Sequence, residues 1–179
     1  MAYTQRIPLT LAEHARRAPG KDTLRLLRRL ELVFRTREEA DDAADLIAGL
    51  LPDPVQGRFG LIELLLNAIE HGNLAIGGAL KAQLLREQRF EDEVAARFER
   101  EPFSGRTVHV AVTVAFPTID IEIRDGGTGF AWRSALEADL DSADSPNGRG
   151  IALISRTCFP NLHYRDPGNV AVVRATWPT

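Results

Sequence analysis

Apolar residues dominate the stretch from Gly60 to Asn73, and their spacing sets the reading of the chain. From Leu61 to His71 no proline or glycine intervenes, and Gly72 then supplies a helix stop. Wound at about 100° per residue, Leu61, Ile62, Leu64, Leu65, Leu66, Ala68 and Ile69 cover most of the circumference. The pattern predicts a largely buried central helix that starts near Val55. Glu63, Asn67 and Glu70 fall in one narrow stripe, because residues three and four apart are neighbours on a helix. Polar groups in an apolar helix must be satisfied, either by an ion, water or ligand or by neighbouring loops.

The rest of the chain divides around this helix. Residues 1–27 read as a basic extension or linker, broken by Pro8, Pro19 and Gly20, and residues 28–179 as one folded domain. Leu30 to Arg35 has strand character. Thr36 with Glu39 three residues on is a capping-box pattern, opening a helix with Ala40, Ala43, Ala44, Ile47 and Leu51 on its apolar face. Pro52-Asp53-Pro54 ends it. Residues 77–101 look like an insertion of one or two amphipathic helices, either a hairpin on the domain's flank or a surface for a partner. Val108, Val110, Val112, Val114 and Phe116 alternate with polar positions, and after a turn at Pro117-Thr118 so do Ile119, Ile121 and Ile123. One further step puts Asp125 on the isoleucine face, pointing inward. A polar, acidic segment, residues 131–147, has the size of a mobile loop. A short helix from Ile151 and two strands, near Leu162–Arg165 and Val170–Trp177, complete a two-layer α/β sandwich.

Composition narrows the class. The chain has 179 residues, 44% apolar and 26% charged, which suits one domain with one sizeable core. No apolar run approaches the roughly 20 residues of a membrane span, and the first residues lack the apolar core of a secretory signal. Cys158 is the single cysteine, which excludes an internal disulfide and a cysteine zinc cluster. A cytoplasmic protein is expected. The net charge of −3 conceals a basic N-terminal arm and an acidic body. The arm is either a solvated tail or a contact for nucleic acid or a membrane surface; the acidic body argues against a general nucleic-acid binder.

Taken singly, Asp125-Gly126-Gly127-Thr128-Gly129 and Gly148-Arg149-Gly150 are weak signals, and no Gly-Lys-Ser/Thr makes a P-loop. Their order is informative. Glu63-x-x-x-Asn67 on a buried helix, then Asp-x-Gly-x-Gly after an apolar strand, then Gly-x-Gly opening a short helix resembles the GHKL (histidine kinase-like) ATPase family. The likeness spans residues 28–178, and the string from Glu63 to Asn73 is similar to the anti-sigma-factor serine kinases. The insertion looks like one found in ATP-binding domains attached to stress-signalling receivers. The resemblance implies a mixed, mostly antiparallel sheet covered by helices on one face, binding ATP and Mg²⁺.

The resemblance also implies roles. Asn67 would give its amide oxygen to Mg²⁺, and Glu63 would be the general base. Asp125 would accept a hydrogen bond from the adenine amine, where guanine presents a carbonyl. Gly127 and Gly129 would let the backbone approach base and ribose, and Gly148 and Gly150 would wrap the phosphates ahead of a helix N-terminus. Arg149 fits a phosphate contact and a solvated loop charge equally. Residues 131–147 would be the lid, and His71 is structural. Departures matter as well: the segment between the glycine boxes is short and lacks a Phe-rich box, and His14 is not set in a long helical hairpin. That favours the serine-kinase branch over a sensor histidine kinase. Three outcomes follow: a serine/threonine kinase acting on an anti-sigma-factor antagonist, an ATP-gated binding module for a sigma factor or other regulator, or an interaction domain without nucleotide. Relatives of this kind dimerise, so a homodimer is a further expectation.

Overall fold

Strict alternation of β-branched residues builds the sheet. The computed structural model describes residues 26–138 and 149–178. It places β1 (Arg29–Phe34), β2 (Val108–Ala115), β3 (Thr118–Arg124), β4 (His163–Arg165) and β5 (Val170–Thr176) in the order β1-β2-β3-β5-β4. Each neighbouring pair is antiparallel. The sheet is therefore wholly antiparallel among the described strands, where a mixed one was expected. The register sets Val110, Val112 and Val114 directly opposite Ile123, Ile121 and Ile119, all of them buried. Burying each such side chain contributes about 1.5–3 kcal/mol before entropy is counted.

The opposite face of the sheet is polar. Arg174 pairs with Asp120 at 2.6 Å, and Glu122 takes both Arg165 at 2.7 Å and Arg124 at 3.1 Å. Such exposed pairs contribute at most about 1 kcal/mol each. They mark a face kept in water, so the helices form a single second layer over the valine–isoleucine face.

Helix α1 (Arg37–Ala48) starts where the sequence places it. The Thr36 hydroxyl accepts the Glu39 N–H, and the Glu39 carboxylate accepts the Thr36 N–H at 2.9 Å. Backbone donors from Thr36 and Arg35 hold that carboxyl below its ordinary range. The central helix α2 (Pro54–Asn67) has Asp53 as N-cap, accepting from the Val55 and Gln56 N–H groups, with Pro54 at the first position. Its buried face carries Leu61, Leu64 and Leu65.

Gly72 does not stop this helix. The chain runs on through a π-helical turn, Ala68–Asn73, with the Leu74 N–H bonded to the Ile69 carbonyl at 2.8 Å. The stop lies at Ala75, whose φ of 53° is left-handed, and the Ile76 N–H closes back on the Glu70 carbonyl at 2.7 Å.

The insertion forms two helices, α3 (Gly78–Arg86) and α4 (Phe90–Glu99). Glu70, 1% exposed, fastens it to the core. Its carboxylate meets the Lys81 ammonium at 2.5 Å and the Arg37 guanidinium at 3.5 Å. Arg37 continues to Glu91 at 2.7 Å, and both cations lie over the Phe90 ring. After β3 come a short helix α5 (Trp132–Leu136) and then α6 (Arg149–Thr157), which begins two residues before the expected Ile151. Among the described residues no helix is long and apolar enough to cross a membrane. The basic extension up to residue 25, residues 139–147 of the expected lid, and Gly148 lie outside the described residues.

Candidate functional site

Between the central helix, the start of α3, the inner ends of the strands and the start of α6 lies a cleft of about 680 Å³. Glu63, Asn67, Asp125, Gly129 and Gly150 all line it. The sequence stripe of Glu63, Asn67 and Glu70 is thereby split. Glu63 and Asn67 reach the cleft and make no hydrogen bond or ion pair with other described residues, whereas Glu70 turns to the insertion. Glu63 lies against the first turn of α6: a methyl group added at Gly150 would sit 2.5 Å from its Oε1. A side chain at position 150 would therefore displace the Glu63 carboxylate from its place beside α6. Arg149 begins α6 and does not line the cleft among the described residues.

Asp125 sits at the floor of the cleft, where β3 ends. Its N–H donates to the Asn169 carbonyl at 3.0 Å, and the Asn169 side chain returns a bond to the Asp125 carbonyl at 3.1 Å. These two bonds hold the residue in strand geometry for one step beyond Arg124. Its carboxylate packs against the Cα of Gly72, where no side chain fits. Gly72 is required by this contact, not by helix termination. Gly127 donates its N–H to Asp125 Oδ1 at 2.7 Å, and a Cβ there would meet the Gly72 carbonyl at 2.6 Å. Gly129 adopts φ of 80°, open to glycine and strained for other residues.

Burial raises the Asp125 carboxyl to about 6, against the opposing effects of the Gly127 N–H and the Arg106 charge. Near pH 6 Asp125 is therefore about half protonated, and at neutral pH it is mostly ionised. Tyr164 of β4 stands on the same wall, edge-on to Phe130 with ring centroids 5.0 Å apart. Burial, and then the Asp125 and Glu63 carboxylates, push its hydroxyl pKa upward. His71, at the mouth, has its Nδ1 against the Ile76 carbonyl. Ile76 follows the left-handed Ala75, so the imidazole braces the turn that ends the central helix.

Three contributors were given no role in the site by the sequence. Asn73 is 2% exposed; its Oδ1 accepts the Gly126 N–H at 2.7 Å, while its Nδ2 finds no partner among the described residues. Arg106, just before β2, donates to the Asn73 carbonyl at 2.9 Å. The third, the turn between β4 and β5, grips the segment after the glycines. The Phe130 N–H donates to the Pro167 carbonyl at 3.1 Å, and Asp166 accepts from the Trp132 indole at 2.9 Å and from Arg133 at 3.1 Å. Only Asn73 had a cue in the sequence, its place directly after Gly72 at the end of the central stretch. The other two arise from contacts between segments distant along the chain.

Among the described residues no group of three His, Cys, Asp or Glu side chains is placed to hold a metal. Neither protein-family models nor curated proteins give a match to this chain.

Proposed function

We propose that the chain is a Mg²⁺-ATP-binding regulatory domain of the GHKL type, acting as a serine/threonine kinase of the anti-sigma-factor kind. The observation that carries this reading is the convergence on one cleft of an acceptor carboxylate at its floor and, on its wall, Glu63 and Asn67, whose side chains have no partner among the described residues. The volume lies within the range of small-molecule sites. Asp125, held by the Gly127 N–H on one oxygen, keeps its other oxygen as acceptor for the adenine amine.

The residues present suit Mg²⁺. A single neutral carboxamide oxygen, Asn67, faces the cleft without a partner among the described residues, and Mg²⁺ bound with nucleotide takes one or two protein oxygens beside phosphates and water. When bound, the ion would neutralise charge on the phosphates. Glu63, one turn from Asn67, takes the proton from the partner's serine or threonine hydroxyl. That oxygen bonds to the γ-phosphorus as the bond to the bridging oxygen breaks, and ADP leaves with the electron pair. The start of α6 beside Glu63 offers backbone N–H groups to phosphate.

Equilibrium titration with ATP and GTP in Mg²⁺, on the wild-type chain and on Asp125→Ala, tests the nucleotide reading. ATP preference that vanishes in the variant is expected; equal ATP affinity in both proteins refutes it. Capture of partners with Mg²⁺-ATP, followed by phosphosite mapping in parallel with Glu63→Ala, then tests the kinase. A partner held through ATP but never phosphorylated by the wild-type chain would make the protein a nucleotide-gated binding module instead.

A further inference from the structure

The segment returning from α4 to β2 brings a cation to the floor of the cleft. Arg106 Nη1 donates to the Asn73 carbonyl at 2.9 Å and lies 3.4 Å from the Gly72 carbonyl. Gly72 is the residue whose Cα supports the Asp125 carboxylate, and Asn73 is the residue whose side chain holds the Gly126 N–H. The Arg106 stem also rests on the next link: a Cβ at Gly126 would lie 3.3 Å from its Cγ. One side chain therefore touches both halves of the Asp125 cradle, the end of the central helix and the glycine turn. Its guanidinium is fixed from behind by the Phe103 ring, 5.3 Å from the centroid, and Arg97 packs on that ring at 5.2 Å. Arg97 in turn donates to the Leu74 carbonyl at 2.5 Å.

We propose that Arg106 is a positioning residue for Asp125, placing the base-reading carboxylate and its charge under the control of the α3–α4 insertion. This rests on the reading of Asp125 as the acceptor for adenine. Sharing the cleft with Asp125 are Glu63 and His71 of the central helix and Tyr164 of β4; β5 adds no ionisable group to the wall. Arg106 is the one guanidinium or ammonium group among the described residues that line it. Its charge favours the ionised carboxylate, opposing the burial that disfavours it.

The test needs a readout that packing alone would not move. Arg106→Gln keeps N–H donors for the two carbonyls and removes the charge; Arg106→Lys keeps the charge and loses the planar fork. Carbon-13 NMR of the Asp125 carboxyl in the nucleotide-free protein gives its titration midpoint directly. The midpoint is expected to rise by about one unit in Arg106→Gln and to stay near the wild-type value in Arg106→Lys. ATP affinity at pH 6.5 should fall about three- to tenfold in Arg106→Gln. Affinity for inosine triphosphate, which offers a carbonyl in place of the amine, should not fall with it. An unmoved midpoint in a folded Arg106→Gln protein that still prefers ATP overturns the role of Arg106 alone. A wild-type chain that binds ATP and inosine triphosphate equally overturns the base reading, and the proposal with it.

Discussion

Glu63 and Glu70 lie two turns apart on one continuous helix, and their surroundings are opposite. Glu70 is enclosed: Lys81 and Arg37 neutralise it, and Phe90 covers both cations. Glu63 faces a cleft and has no ion-pair partner among the described residues. A buried carboxylate with its countercharges in place is a fastening, since removing it would strip Lys81 of its anion and leave Arg37 to Glu91 alone. A carboxylate facing open volume with unused acceptor capacity is available for chemistry. The two are alike in sequence, each an acid in an apolar helix. Only the partners that arrive from α1 and from the insertion tell them apart.

Substitutions can break this contrast in graded steps. The largest expected effect is Glu63→Ala, which should lower phosphotransfer to a captured partner by about 10²- to 10⁴-fold while leaving the unfolding free energy in urea within about 0.5 kcal/mol of wild type. A large loss of stability would place Glu63 with Glu70 as a structural group. Glu70→Ala should do the reverse. It should cost about 2–3 kcal/mol in urea unfolding, somewhat less than for a fully enclosed pair because Lys81 and Arg37 are each about a third exposed. Adenine preference should survive in the fraction that remains folded.

Asp125 stands between the two cases and should show a smaller effect of both kinds. Its folded-state pKa of about 6 lies above the ordinary 3.8, so between those values the folded chain binds more protons than the unfolded one. The stabilising contribution of the protonated group is fully present below about pH 4 and is lost as pH rises through about 6. Asp125→Asn should therefore raise the thermal midpoint at pH 7, remove this pH-dependent contribution, and weaken ATP binding by at least about tenfold. A variant that is less stable at pH 7 would show that the ionised carboxylate contributes to folding. Adding ATP to the wild-type chain should draw the Asp125 midpoint downward, as the amine favours the charged acceptor. That shift should be the smallest of the four and is readable by the same carboxyl NMR.

Local features were legible in the sequence because their causes are local. Thr36 and Glu39 cap each other within one turn, the central helix starts within a residue of the expected Val55, and alternating Val and Ile define the buried face of the sheet. The inward direction of Asp125 follows from the same alternation, continued by one residue. What was misread depends on distant parts of the chain. Gly72 looks like a helix stop from its neighbours alone, yet its lack of a side chain is required by Asp125, which arrives from β3. Glu70 shares a stripe with Glu63, yet Lys81 and Arg37 claim it. Arg106 and Tyr164 stand in segments with no motif at all, and they meet the cleft only because β2 begins, and β4 runs, beside it.

The insertion has one further property, evident when it is treated as a closed loop of polymer. Gly77 at its start and Arg106 at its exit both stand on the cleft wall, so folding must bring those ends together whatever lies between. The entropy of closing such a loop grows only logarithmically, by about 0.6 kcal/mol for each doubling of its length. Lengthening or trimming the turn between Arg86 and Phe90 should therefore leave cleft geometry and overall stability nearly unchanged. Displacing either end would alter the wall itself. Variation in this protein's size should thus be tolerated between the two helices, while the shape of the wall is held at Gly77 and Arg106.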